Sequence, residues 1–258
     1  MKNFSVKLIF IGLLAVSGCT TEYNLATQQE ERMLYGSDKE AKVGDAVAKQ
    51  VETHYPILSD IDANERVQRI LDKIVAVCDR KEFVYTVKII DEDKMNAISL
   101  PGGFIYVYKG LIDKVDNDDQ LAGVIAHEVG HIAARHGMKK LESSYGYTLL
   151  QALSIASGSG AAAQGVQTAY LAMFFAYSQE DEFQADSLGV KYMKAAGYGV
   201  NEMPKMLRKL KEAEEKEPLR EFSYWRTHPH ILKRISNVNK EITGELQFKD
   251  YLNLTGNE

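Results

Sequence analysis

The chain has 258 residues, 45% of them hydrophobic and 26% charged, the proportions of a globular protein able to bury a sizeable core. Its formal net charge is −5, and because residues 1–18 contain two lysines and no acid the remainder is more acidic still. That balance argues against nucleic acid as a partner.

In chain order, residues 1–18 read as an export signal: Lys2 and Lys7, an apolar run from Leu8 to Val16, then Ser17 and Gly18. The run is short for a membrane span. Val16-Ser17-Gly18-Cys19 resembles the lipobox of bacterial lipoproteins, which implies lipidation at Cys19, and Thr20 in the next position implies the outer membrane. Residues 19–36 are polar and unpatterned, which predicts a tether, with a single domain over 37–258. The remaining cysteine, Cys78, lies on an apolar stripe with Val67, Ile70, Leu71, Ile74 and Val75 and is expected to be buried and inert. With Cys19 lipidated, no disulfide can form.

Periodicity predicts helices over 38–53 and 62–78, the second opened by Asp62 and Glu65 at capping-box spacing. Residues 83–91, 96–100 and 104–108 are rich in β-branched and aromatic residues, with Pro101-Gly102-Gly103 between the last two, and predict a small antiparallel sheet. Beyond it the pattern is helical at 118–136, 139–157, 166–178, 180–196, 201–216 and 229–243. The fold class is therefore α+β and mainly helical. No charge occurs between Glu142 and Glu180, so this stretch reads either as two helices joined by a small-residue loop or as a membrane hairpin.

The chemistry centres on His127-Glu128-Val129-Gly130-His131. Imidazoles four residues apart share one helix face and can close on one zinc ion, while the glutamate, turned by about 100°, reaches a water on the metal. Asn117 and Gln120 offer an N-terminal cap, and Leu121 to Ile132 is apolar nearly all round, which predicts a buried helix. Gly123 and Gly130, near the histidine face, allow another helix to approach. A suitable one starts at Glu180, with Glu182, Asp186 and Gly189 on one face. Glu182 is the expected third ligand, and Asp186 the acceptor for a ligand histidine's other ring N–H. Three protein ligands leave a position for water, the pattern of a catalytic site. His136, rotated from the ligand face, is expected only to sit at the helix end near its dipole.

With Asn96-Ala97, Pro101-Gly102-Gly103, the His-Glu-Val-Gly-His helix, Glu182 to Asp186 and Thr227-His228-Pro229, the chain resembles the gluzincin family of the CAAX prenyl endopeptidase and the membrane protease HtpX, and most closely its periplasmic lipoprotein members. The resemblance implies a zincin-type metallopeptidase domain with an active-site helix. It also implies one zinc ion on His127, His131 and Glu182, Glu128 as general base, and His228 and Arg234 near the reacting centre. The chain lacks the clear spanning helices of the integral-membrane members, which points to unfolded or misassembled envelope proteins as substrates and to a cell-envelope location through the N-terminal lipid. A cleft-edge strand at Asn96, Ala97 and Ile98, with Gly102 and Gly103, would bind peptide by main-chain hydrogen bonds, although the same segment also reads as an ordinary hairpin. His228 is open to two roles, oxyanion donor or occupant of the free zinc position, with Pro229 opening the last helix. A zinc-containing chaperone or assembly factor with latent protease activity has the same spacing.

Overall fold

The computed structural model describes residues 20–33, 35–143, 166–167, 169–172, 176–221 and 223–245. Cys19, the expected signal peptide and most of the uncharged stretch up to Gln179 lie outside the described residues, so the choice between loop-linked helices and membrane hairpin falls there too. Among the described residues no helix is long and apolar enough to cross a membrane.

The described chain starts with an antiparallel hairpin, β1 (Thr20–Asn24) and β2 (Gln29–Met33), where an unpatterned tether was expected. The reason is tertiary. Met33 and Tyr35 are buried in a cluster with Val43, Val47 and Val51 of α1 (Ser37–His54). Asn24 donates to the Ala133 carbonyl at 3.1 Å, and Arg135 and Lys139 hold Glu22 and Glu31 at 3.0 and 2.7 Å. No short-range pattern reports contacts a hundred residues away.

α2 (Ile61–Val77) buries Val67, Ile70, Leu71 and Ile74, the expected stripe. Its cap is Asp60, whose carboxylate accepts from the Ala63 N–H at 3.0 Å, rather than the Asp62–Glu65 pair. Cys78 is buried, and burial pushes its thiol pKa up, which keeps it unreactive.

Strands β3 (Thr86–Ile90), β4 (Ala97–Leu100) and β5 (Phe104–Tyr108) form a sheet of order β3-β5-β4. It is mixed rather than wholly antiparallel: β4 and β5 are antiparallel, but β5 returns in the direction of β3 and inserts beside it, leaving β4 at the edge. The Pro101–Gly103 turn between β4 and β5 needs its glycines. Gly102 has φ 80°, and a β-carbon there would stand 2.8 Å from Ala41 Cα of α1. Both glycines thus have a packing and conformational role independent of any peptide.

A short α3 (Lys109–Ile112) leads to α4 (Asp118–Ala133), capped by Asn117, whose side chain accepts from the Gln120 N–H at 2.9 Å. The helix expected to run on to 136 breaks at Arg135, which adopts a left-handed φ of 61°, and helix resumes over 136–143. α4 is buried from Gln120 to Ala133 and forms the centre of the domain. Around it lie α2, β4, α5 (Gln179–Ala195) and α6 (Glu202–Lys216). After α7 (Tyr224–Thr227), α8 (Ile231–Thr243) packs on α5 and α6. α8 begins at Ile231, two residues later than Pro229 implied, because His230 takes the left-handed conformation at its N-cap.

The two α4 glycines lie where other helices approach. Gly123 faces Met203 of α6, and a β-carbon at Gly130 would stand 2.7 Å from the Ala185 carbonyl oxygen of α5. That obstacle is backbone and cannot rotate away. Gly130→Ala should therefore lose about 1–2 kcal/mol of stability in urea unfolding of the metal-free protein, overpacking outweighing the gain in helix propensity.

Candidate metal centre

α4 presents His127 and His131 one turn apart, with their Nε2 atoms 3.0 Å from each other. Because α5 approaches so closely at Gly130, Glu182 in its first turn reaches both: Oε2 lies 3.5 Å from His127 Nε2 and Oε1 3.4 Å from His131 Nε2. His228, at the C-terminal end of α7, completes a group of four buried donors whose ligand atoms all lie within 4.8 Å of one another. Around a tetrahedral zinc with ligands at roughly 2.0–2.1 Å, neighbouring donors stand about 3.4 Å apart. The His–His and His–Glu separations match that spacing.

The polar balance of the site points the same way. Among the described residues, Glu182 Oε1 and His228 Nε2 have no hydrogen-bond partner, and Glu182 Oε2 has only its ion pair with Arg234. Buried polar atoms are ordinarily satisfied, so two such atoms converging on two imidazoles describe a cation site. Three nitrogens and a carboxylate suit a first-row divalent metal such as zinc.

The surrounding residues orient this set. Asp186, one turn beyond Glu182, has Oδ1 2.9 Å from His127 Nδ1. Arg234 comes from α8, fully buried: Nε and Nη2 donate to Asp186 at 2.9 and 2.8 Å, Nη1 stands 2.7 Å from Glu182 Oε2, and Nη2 also donates to the Tyr224 hydroxyl at 3.1 Å. Glu128 is buried beside the donors. Its Oε2 accepts from the Ser99 hydroxyl of β4 at 2.7 Å, and its Oε1 lies 3.4 Å from His228 Nε2. Tyr224 stacks on the His228 ring at 4.4 Å, and Tyr177 stacks on His131 at 4.0 Å.

Every residue that spacing or resemblance assigned to the reacting centre is therefore in one cluster: His127, Glu128, His131, Glu182, Asp186, His228 and Arg234. Asn96, Ala97 and Ile98 lie at and before the edge strand β4, with the Asn96 side chain accepting from the Ala97 N–H at 2.9 Å. Ser99, Tyr177 and Tyr224 carry no mark in the sequence that separates them from core residues, apart from Ser99 being the one polar residue of β4. His136, read as a helix-end residue near the dipole, is instead buried with Nδ1 2.8 Å from His131 Nδ1. The left-handed turn at Arg135 swings it back onto the ligand face.

Electrostatics divide the site. For His127, burial and Arg234 press the pKa down but Asp186 and Glu182 outweigh them, raising it to about 9. Burial, with the neighbouring cations, holds His131 and His228 well below the usual histidine value. Burial also raises Glu128. Glu182 is lowered to about 2: burial opposes ionisation, but Arg234, His228 and His127 override it.

A buried donor cluster on a His-Glu-x-x-His helix, completed by a glutamate from a second helix, defines a metallopeptidase of the gluzincin type. The chain belongs to peptidase family M48, whose family model matches residues 62–242. It is 28% identical over 174 residues to the mitochondrial metalloendopeptidase OMA1 of Schizosaccharomyces pombe, covering 67% of this chain and 51% of that protein. It is 26% identical over 182 residues to the beta-barrel assembly-enhancing protease of Escherichia coli, covering 67% of this chain and 37% of that protein. The match thus spans about half or less of the length of these relatives.

The depressed pKa of Glu182 has a stability consequence. A carboxylate lowered from 4.5 to about 2 contributes stability that is fully present above about pH 4.5 and is lost as pH falls towards 2. In urea unfolding of chelator-treated protein, Glu182→Gln should flatten the fall in stability between these pH values.

Proposed function

We propose that this chain is a zinc-dependent endopeptidase that cleaves unfolded or misassembled proteins of the cell envelope. The observation that carries this reading is the convergence of His127, His131, Glu182 and His228, with Glu128 Oε1 3.4 Å from His228 Nε2. In it His127, His131 and Glu182 hold the zinc ion. When bound, the metal supplies a Lewis acid that polarises the scissile carbonyl and acidifies water. Glu128, its pKa raised by burial and its orientation set by Ser99, takes the proton of the attacking water and passes it to the leaving amine. Asp186 fixes the His127 ring so that Nε2 faces the metal. Arg234 donates to Asp186 and pairs with Glu182, which offsets the cost of burying both carboxylates.

For substrate, β4 is the terminal strand of its sheet and lies beside Glu128, and an extended peptide admitted along it would pair through its main chain with little dependence on sequence. The name of the Escherichia coli relative, a beta-barrel assembly-enhancing protease, supports envelope proteins as the substrate class, and that of the yeast relative supports internal peptide bonds. The lipobox-like sequence ending at Cys19 supports a lipid anchor, with the domain on the periplasmic face of the outer membrane. Glu128→Gln leaves the donor set intact, so it should retain one zinc per chain while casein cleavage falls by at least about 10²-fold. Casein cleavage retained by the zinc-loaded variant would remove Glu128 from this role.

Of the two roles open to His228, its position favours the resting-state donor. Its Nε2 lies among the metal donors. Thr227 Oγ1, which donates to the Tyr224 carbonyl at 3.1 Å, is 2.8 Å from His228 Nδ1 and can accept from it. A hydroxyl has one proton, so this arrangement supports an imidazole proton on Nδ1, which would leave the Nε2 lone pair for the metal. His228→Ala should then raise basal casein cleavage. A drop in kcat of about 10²-fold would instead assign His228 to the oxyanion.

A further inference from the structure

His131 poses a problem that His127 does not. Each ligand histidine gives Nε2 to the metal and so carries its proton on Nδ1, which in a buried site must find an acceptor. For His127 that acceptor is the Asp186 carboxylate. For His131 the group in place is another imidazole, His136 Nδ1 at 2.8 Å. An imidazole nitrogen accepts only when the ring's proton is on its other nitrogen. His136 Nε2 lies 2.9 Å from Gln184 Oε1 and 3.4 Å from Asp181 Oδ1, both acceptors, on the first turns of α5.

From this geometry we infer that Gln184 and His136 form a proton-orienting relay that fixes the metal-binding tautomer of His131. Gln184 Oε1 accepts from His136 Nε2–H, His136 Nδ1 accepts from His131 Nδ1–H, and the His131 Nε2 lone pair is left for the metal. His136 is thus a positioning residue acting through His131. Both ligand histidines are oriented from α5, His127 directly by the Asp186 carboxylate and His131 through His136.

The relay differs in kind from the Asp186 contact. A carboxylate can only accept, whereas the relay has a direction that Gln184 sets: an amide N–H turned to His136 would reverse both rings and put a proton on His131 Nε2. Gln184→Glu, which can present an acceptor but no such N–H, should keep zinc affinity. The left-handed turn at Arg135 supports the assignment, because a continuous helix would rotate position 136 away from position 131 by five residues, about 140°.

The inference rests on the zinc reading above, and the test separates the two. Zinc affinity is measured by competition with a chromophoric chelator in wild type, His136→Leu and His136→Asn, and imidazole ¹⁵N shifts are recorded on the zinc-loaded wild type. Asn keeps an acceptor near the place of Nδ1, while Leu keeps apolar volume and no acceptor. The relay predicts affinity about 10- to 100-fold weaker in His136→Leu, substantial recovery in His136→Asn, and a proton on Nε2 of His136. A residue that only fills space would give the reverse order, with Leu the better tolerated. Equal affinity in wild type and His136→Leu, an Asn variant no tighter than Leu, or a proton on His136 Nδ1 would overturn the relay alone. A wild type that takes up no zinc overturns both readings. If His136→Leu does not fold, the ¹⁵N tautomer in wild type decides.

Discussion

Three carboxylates, those of Glu128, Glu182 and Asp186, are wholly buried around two histidines, and the site depends on how that negative charge is held. Taking an ion out of water costs several kcal/mol even after relaxation, and only close pairing offsets it. Arg234 provides the pairing: one guanidinium, itself fully buried, bridges Asp186 and Glu182 and reaches the Tyr224 hydroxyl. Its planar fork of donors suits this, whereas a lysine would engage one partner at a time. Because Arg234 belongs to α8, the last described helix is part of the site and holds α5 against α4.

α4 is held at its C-terminal end by a second buried ion cluster. Arg80 makes a two-pronged pair with Glu40, both contacts 2.8 Å, and also donates to the Ile132 carbonyl at 3.0 Å. Arg135 lies 3.2 Å from the same carboxylate and reaches back to Glu22 and the Tyr35 carbonyl. Asn24 satisfies the Ala133 carbonyl. These contacts fill the acceptors that the end of an α-helix leaves open, using side chains from the hairpin and from the end of α2. They also hold Arg135 in its left-handed conformation, which directs His136 towards His131. The N-terminal hairpin therefore supports the site without touching it.

Much of the centre could be read in advance because its parts are local. The i, i+4 spacing of His127 and His131 on an apolar helix, and of Glu182 and Asp186 on another, states which side chains share a face. Gly123 and Gly130 mark where backbones come close, and the Asn117 cap marks where α4 starts. Each is a property of one helix, and helix geometry is nearly invariant.

What the sequence by itself determined is thus the long helices among the described residues, the faces they present, and the residue types able to bind a metal and move a proton. Tertiary structure alone decided the rest. The parallel pairing of β3 with β5 depends on where β5 inserts, which short-range alternation does not encode. The hairpin at 20–33 exists because Met33, Asn24 and Glu22 find partners far along the chain. His136, Tyr224 and Ser99 enter the site through contacts with residues on other elements or through a turn that reverses the helical phase. The physical reason is common to all of these: burial and hydrogen-bond satisfaction are settled between elements, and a pattern read along one element carries no record of what will be packed against it.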